Sequence, residues 1–193
     1  MKHFSEEVYL EVIRTFISNI GEKRFKNWDD YENRILKCGL CTAGMYRCVF
    51  IPKEHNFVIK LARNENEAGE RQLRKELEVY RHAREERLHN WFAMPLAYGN
   101  SPWGFWVAFE YVGHIGKADS FVPDEEKVFA KITAEEFYSL YYTDELAYAM
   151  RSIRYARLLE RFCEDNDIND LHVCNYGWDI RKNHAVITDY GGC

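Results

Sequence analysis

Two short runs rich in β-branched and aromatic residues, 47–51 and 56–61, are separated only by Pro52, Lys53, Glu54 and His55. Side chains of this kind suit a pleated, half-buried surface, and a four-residue link headed by proline suits a hairpin, so two antiparallel strands are predicted here. From about 64 to 90 the chain then becomes densely charged and free of proline, with Leu73, Leu77, Tyr80 and Leu88 forming a partial helical stripe. That pattern predicts one long, exposed helix. A further β-prone run at 104–111 predicts a buried strand, which ends near Val112 and Gly113 where the composition turns loop-like. A candidate boundary between two lobes falls there.

Flanking segments fill out an α+β pattern. Ser5 followed by Glu6 and Glu7 marks a helix start, Val8, Val12, Ile13, Phe16, Ile17 and Ile20 share one face, and Gly21 is the stop. This opening helix reads as a packing element. Thr133 and Glu136 have capping-box spacing, and Thr143-Asp144 offers a second start for a helix through Met150, Ile153, Ala156 and Leu159. The second half is therefore expected to be mostly helical. Near the end, 185–188 is a short β-prone segment that delivers Asp189, Tyr190 and Gly191.

With 193 residues, 47% hydrophobic and 16% aromatic, the chain can bury one substantial core, or two small lobes, without disulfide support. Its net charge of −5 is spread through interspersed acids and bases, which leaves no broad positive field for nucleic acid or anionic lipid. The acidic amino end and the lack of any apolar run near the ~20 residues of a membrane span predict a soluble protein. Six cysteines without an export signal point to reduced thiols in a cytoplasm. Cys38 and Cys41 have a metal-like spacing, but no second pair matches it, and free thiols are the simpler reading.

The residues that carry chemistry lie late in the chain. Asp170, Leu171, His172, Val173, Cys174 and Asn175 are followed, fourteen residues after the asparagine, by Asp189, Tyr190 and Gly191. Phosphoryl transfer needs such a set: an aspartate to accept a hydroxyl proton, an asparagine and a second aspartate as hard oxygen ligands for magnesium, and a lysine to neutralise phosphate. Chance produces D-x-x-x-x-N often, so the weight lies in the whole set and its order. Glu76 stands three residues after Leu73 and four before Tyr80, so it shares the apolar face of the charged helix and needs a cationic partner there. Glu70 is the second choice for that role.

In this set the chain resembles the protein-kinase-like superfamily, including the aminoglycoside-phosphotransferase type whose catalytic loop reads D-L-H-x-x-N, and most of all small kinase-like proteins encoded by bacteriophages. The resemblance runs from about Cys38 to Gly191. It implies a two-lobed fold, with a helix at 1–25, a small antiparallel sheet and long helix at 26–112, and a shortened helical lobe at 113–193. Asp170 becomes the catalytic aspartate, Asn175 and Asp189 the metal ligands, and Lys60 the phosphate-binding lysine that pairs with Glu76. Gly44, Tyr46 and Val49 keep part of a Gly-rich loop, and Glu110 and Val112 fall where backbone contacts adenine. Two departures stand out: Ile168 replaces the largely structural histidine two residues before the catalytic aspartate, and the sequence ends at Cys193, soon after Gly191.

The resemblance implies ATP and magnesium as cofactors and transfer of the γ-phosphoryl group to a protein hydroxyl in the cytoplasm. A catalytically inactive pseudokinase that grips and inhibits a host protein remains open, as does a small-molecule phosphotransferase. His172 reads as a hydrogen-bonded loop residue, and the aromatic run at 137–142 as core or interface.

Overall fold

The computed structural model describes residues 4–21, 39–43, 46–52, 55–63, 67–114, 153–169, 175–179 and 184–191. These residues make an α+β protein whose contacts divide into two compact units, Met1–Leu73 with Pro95–Tyr111 and Arg74–Met94 with Val112–Cys193.

The first unit is built on a five-stranded antiparallel sheet of spatial order β1-β2-β3-β5-β4, from β1 (Gly39–Ala43), β2 (Arg47–Pro52), β3 (Phe57–Ala62), β4 (Pro95–Ser101) and β5 (Gly104–Glu110). The hairpin read from the sequence is β2 and β3, and the predicted buried strand is β5. Helix α1 (Glu6–Gly21) begins at the acidic pair, with Ser5 accepting a backbone bond from Val8. It buries Tyr9, Ile13 and Phe16 against Phe50, Phe57, Ile59, Leu61, Trp106 and Ala108. Each such side chain contributes about 1.5–3 kcal/mol on leaving water. Alternation along the strands then decides the opposite face: Lys60 pairs with Val107 and Val49, and Val58 with Phe109, while their neighbours point to α1.

Two features of this sheet lie outside the sequence reading. Residues 39–43 form strand β1, so the stretch read as a Gly-rich loop is the β1–β2 hairpin, with Gly44 outside the described residues. Strand β4 forms from Pro95, Gly99, Asn100 and Ser101, residues that disfavour strands, because it is an edge strand and needs only β5 beside it. Its turn into β5 rests on Gly104, at φ 133°, and on Ser101, whose hydroxyl donates to the Gly104 carbonyl at 2.9 Å.

Helix α2 (Glu67–Glu85) is the predicted charged helix, shorter than the 64–90 expected. Its end has a physical cause. Leu88 donates to the Ala83 carbonyl at 2.7 Å and Arg87 to the Arg84 carbonyl at 3.2 Å, while Arg87 takes φ 62° and Leu88 turns inward. Helix α3 (Ile153–Asp165) ends identically: Ile168 donates to Cys163, Asp167 to Glu164, and Asp167 has φ 52°. Both are Schellman terminations with a non-glycine residue in the left-handed position. A turn of 3-10 helix at His89–Trp91 follows α2.

In the second unit, β6 (Gly113–His114), β7 (Tyr176–Asp179) and β8 (His184–Ile187) form a three-stranded antiparallel sheet. Among the described residues of 113–193 the expected helix is α3, and with it stands a sheet of which the sequence signalled only the run at 185–188. Strands β6 and β7, of two and four residues, carry no sequence signal of their own and form through their partners. The predicted helix starts at Thr133 and Thr143, the aromatic run 137–142 and Cys38 lie outside the described residues. No helix among those described is long and apolar enough to cross a membrane.

Gly69 sits where a Cβ would collide with the Tyr46 carbonyl oxygen, a backbone atom that cannot swing aside. Gly69→Ala gains about 1 kcal/mol of helix propensity but incurs an overpacking penalty of about 1–3 kcal/mol, so a lower urea midpoint is expected. A midpoint at or above the parent's contradicts the close approach. Arg87→Gly relieves the left-handed backbone and is expected to add up to about 1 kcal/mol, measured by urea unfolding. Asp167→Gly should add less, since aspartate tolerates that conformation better.

Candidate functional site

On the first unit's sheet, Lys60 occupies the central strand β3 and is only 5% exposed. Its Nζ lies 4.9 Å from the centroid of the Phe109 ring, and Val49 pairs with it across β2. Tyr46, half-buried, has its carbonyl held by the Arg63 amide at 3.1 Å, which fixes the chain where β2 begins. Glu110 is buried at the end of β5 opposite Phe57, and the Tyr111 amide donates to the Asn56 carbonyl at 3.2 Å. Burial pushes the Tyr111 hydroxyl above the ordinary tyrosine range, so it remains protonated at neutral pH. Val112, buried, opens the second unit.

Within the second unit, Glu76 is 0% exposed and lies on the α2 stripe of Leu73, Val79, Tyr80 and Ala83, as its spacing predicts. Glu70 is half-buried, so burial singles out Glu76. Neither Lys60 nor Glu76 is an ordinary surface charge, and neither is left without an interaction.

The pairing of β7 with β8 places Asn175 beside Thr188, the residue before Asp189. Tyr176 pairs with Ile187, so Asn175 and Thr188 stand at the same mouth of the hairpin. Thr188 donates to the Asn175 carbonyl twice, from its amide at 2.7 Å and from Oγ1 at 3.0 Å. Asn175 is 7% exposed, and Asp189, half-buried, follows Thr188 directly. The turn is anchored from behind: the Tyr190 hydroxyl donates to the Ala93 carbonyl at 2.7 Å, the Ala93 amide donates to Ile187, and the Phe92 ring meets those of Tyr190 and Phe162 edge-on.

Lys60 thus belongs to one unit, and Glu76, Asn175 and Asp189 to the other. Asp170, His172, Cys174 and Gly44 lie outside the described residues. Ile168 is buried as the last contact of the α3 termination, so its place two residues before Asp170 is filled by packing. Among the described residues no group of three or more His, Cys, Asp or Glu is arranged to hold a metal ion. An asparagine and a carboxylate are nevertheless the hard oxygen donors that suit magnesium, which keeps several waters and takes further oxygens from a bound phosphate. Thr188, Phe109 and Asp179, which is 2% exposed at the far end of β7, escape sequence reasoning. Nothing in their spacing marks them.

No protein-family model matches the chain, and no curated protein does. Among solved structures, WbdD bound to a kinase inhibitor is similar at a TM-score of 0.43 and 15% identity, over 89% of this chain and 45% of that one. The bifunctional kinase-methyltransferase WbdD is similar at 0.38 and 19%, over 76% of this chain and 30% of that one. The chain spans less than half the length of either, and at these scores the likeness assigns neither fold family nor activity.

Tyr190→Phe removes the donor to a buried carbonyl while keeping the ring. A loss of about 1–3 kcal/mol is expected in chemical denaturation, and an unchanged midpoint would show that the hydroxyl does not anchor the turn.

Proposed function

We propose that the chain is a kinase-like ATP-binding protein that transfers the γ-phosphoryl group to a hydroxyl of a protein. The observation that carries this reading is the pair of hydrogen bonds from Thr188 to the Asn175 carbonyl, which hold two hard oxygen ligands at one hairpin mouth. In this reading Asn175 and Asp189 bind magnesium that also takes phosphate oxygens, so the metal binds well only with nucleotide. Lys60, a buried ammonium on the third strand, neutralises phosphate, and Glu76 on the following helix orients it. The backbone of Glu110 and Val112 contacts the base, and Gly44, Tyr46 and Val49 cover the phosphates. Asp170 orients the acceptor hydroxyl and takes its proton as the bond to phosphorus forms.

Burial of Lys60 supports the assignment by magnitude. A ring beneath a desolvated ammonium contributes about 2 kcal/mol, whereas removing that ion from water costs several. Hydrogen bonds or opposite charges offset the difference, and phosphate oxygens add to them when nucleotide binds.

The test is thermal unfolding with and without Mg·ATP, joined to transfer of labelled γ-phosphate. Nucleotide at 100 times its dissociation constant is expected to stabilise the parent by about 2.7 kcal/mol. Asp189→Asn should remove most of the magnesium-dependent part. Asp170→Ala should keep the stabilisation and lose the transfer; a protein that binds Mg·ATP but transfers no label before any substitution is a pseudokinase instead. No shift at millimolar nucleotide rejects both readings.

A further inference from the structure

Two polar contacts of α2 fall on consecutive residues, Asn166 and Asp167, at the end of α3. His82 Nδ1 lies 2.9 Å from Asn166 Oδ1, and Lys75 Nζ donates to the Asp167 carbonyl at 3.0 Å. Lys75 and His82 are seven residues apart, two helical turns, and so lie on one face of α2 with Val79 buried between them. The proton positions follow from the donors. Arg81 can only donate, and its Nη2 stands 3.1 Å from His82 Nε2, so Nε2 accepts and the proton of the neutral ring sits on Nδ1. His82 therefore donates to Asn166 Oδ1. The same asparagine turns its amide nitrogen on the Phe162 carbonyl at 2.9 Å, and its backbone amide donates to that oxygen at 3.1 Å.

Phe162 then leads toward the metal pair. Its ring packs edge-on against Phe92 at 5.5 Å, and Phe92 packs against Tyr190 at 5.1 Å, the residue next to Asp189. Phe92 also bridges to Ile187, one residue before Thr188. Asn166 thus stands at the head of a continuous run of contacts that starts on the helix carrying Glu76 and ends at the turn carrying Asp189. It also lies only four residues before Asp170, at the point where the chain leaves α3.

We infer that Asn166, held in place by His82, is a positioning residue for the Asn175–Asp189 pair, locking the helix that bears Glu76 to the ring stack that seats the Asp189 turn. The inference rests on the reading of those two residues as magnesium ligands. It differs from a purely structural role in its readout. Loss of the tie displaces metal ligands, so it lowers affinity for nucleotide with magnesium more than affinity for nucleotide alone.

The experiment is calorimetric titration with a non-hydrolysable ATP analogue, once with excess magnesium and once in EDTA. Variants are His82→Leu, Asn166→Leu, the double variant, and His82→Asn, whose amide nitrogen reproduces the Nδ1 donor. Each leucine variant is expected to lose about tenfold in the magnesium-dependent affinity while its affinity in EDTA stays within about twofold. The double variant should be no worse than either single variant. His82→Asn should bind as the parent does, which excludes a general loss of folding. Parental magnesium dependence in the leucine variants, or an equal fall under both conditions, overturns the inference and leaves the proposed metal site standing. Absence of magnesium-dependent binding in the parent removes the metal site and the inference with it.

Discussion

The open end of the β7–β8 pair is closed on one carbonyl. The Asn175 oxygen receives both the amide and the hydroxyl of Thr188, and through that double acceptance the last residue before β7 is fixed to the first residue after β8. Two strands of four residues have little cooperative stability alone, and a bond to a neutral partner is worth only about 1 kcal/mol net. The hairpin therefore needs support from behind. Tyr190, Phe92 and Phe162 supply it with buried aromatic surface and a hydroxyl that satisfies the Ala93 carbonyl. The polar mouth of the strand pair is thus seated on an apolar base.

Charge burial constrains both units. Lys60, Glu76, Glu110 and Asp179 are buried, as is the neutral Asn175, while the other charged residues among those described are half-buried or exposed. Each buried ion carries a desolvation cost of several kcal/mol, which a fold retains only where hydrogen bonds or opposite charges offset it. Placing such groups on regular elements, Lys60 on a central strand and Glu76 in mid-helix, restricts their freedom to reach water. Buried ionisable groups on rigid elements are a recurrent mark of functional sites, although ion-pair networks of purely structural purpose share it.

How far the sequence foretold this follows from where each signal resides. The β2–β3 hairpin, β5, α1 and β8 each carry their own pattern, and all were legible. Glu76 was legible too, because helical spacing alone places it among Leu73, Tyr80 and Ala83. Strand β4 was not, since Pro95, Gly99 and Asn100 argue against a strand and only the neighbouring β5 makes it one. Thr188 hid for a different reason: its role is a bond to a carbonyl thirteen residues earlier, which no local pattern encodes. The α2 terminus was overextended because an arginine in the left-handed position gives none of the warning that a glycine would.

Ile168 joins these strands of argument. It completes the α3 termination, donating its amide to Cys163 and sinking its side chain into the core. An apolar residue cannot brace by hydrogen bonding, so any polar bracing has to come from elsewhere. Asn166, two residues upstream, has the required contacts: it accepts a hydrogen bond from His82 on α2 and donates one to the Phe162 carbonyl on α3. At position 166 one asparagine side chain holds two helices at once, while position 168 is given over to packing.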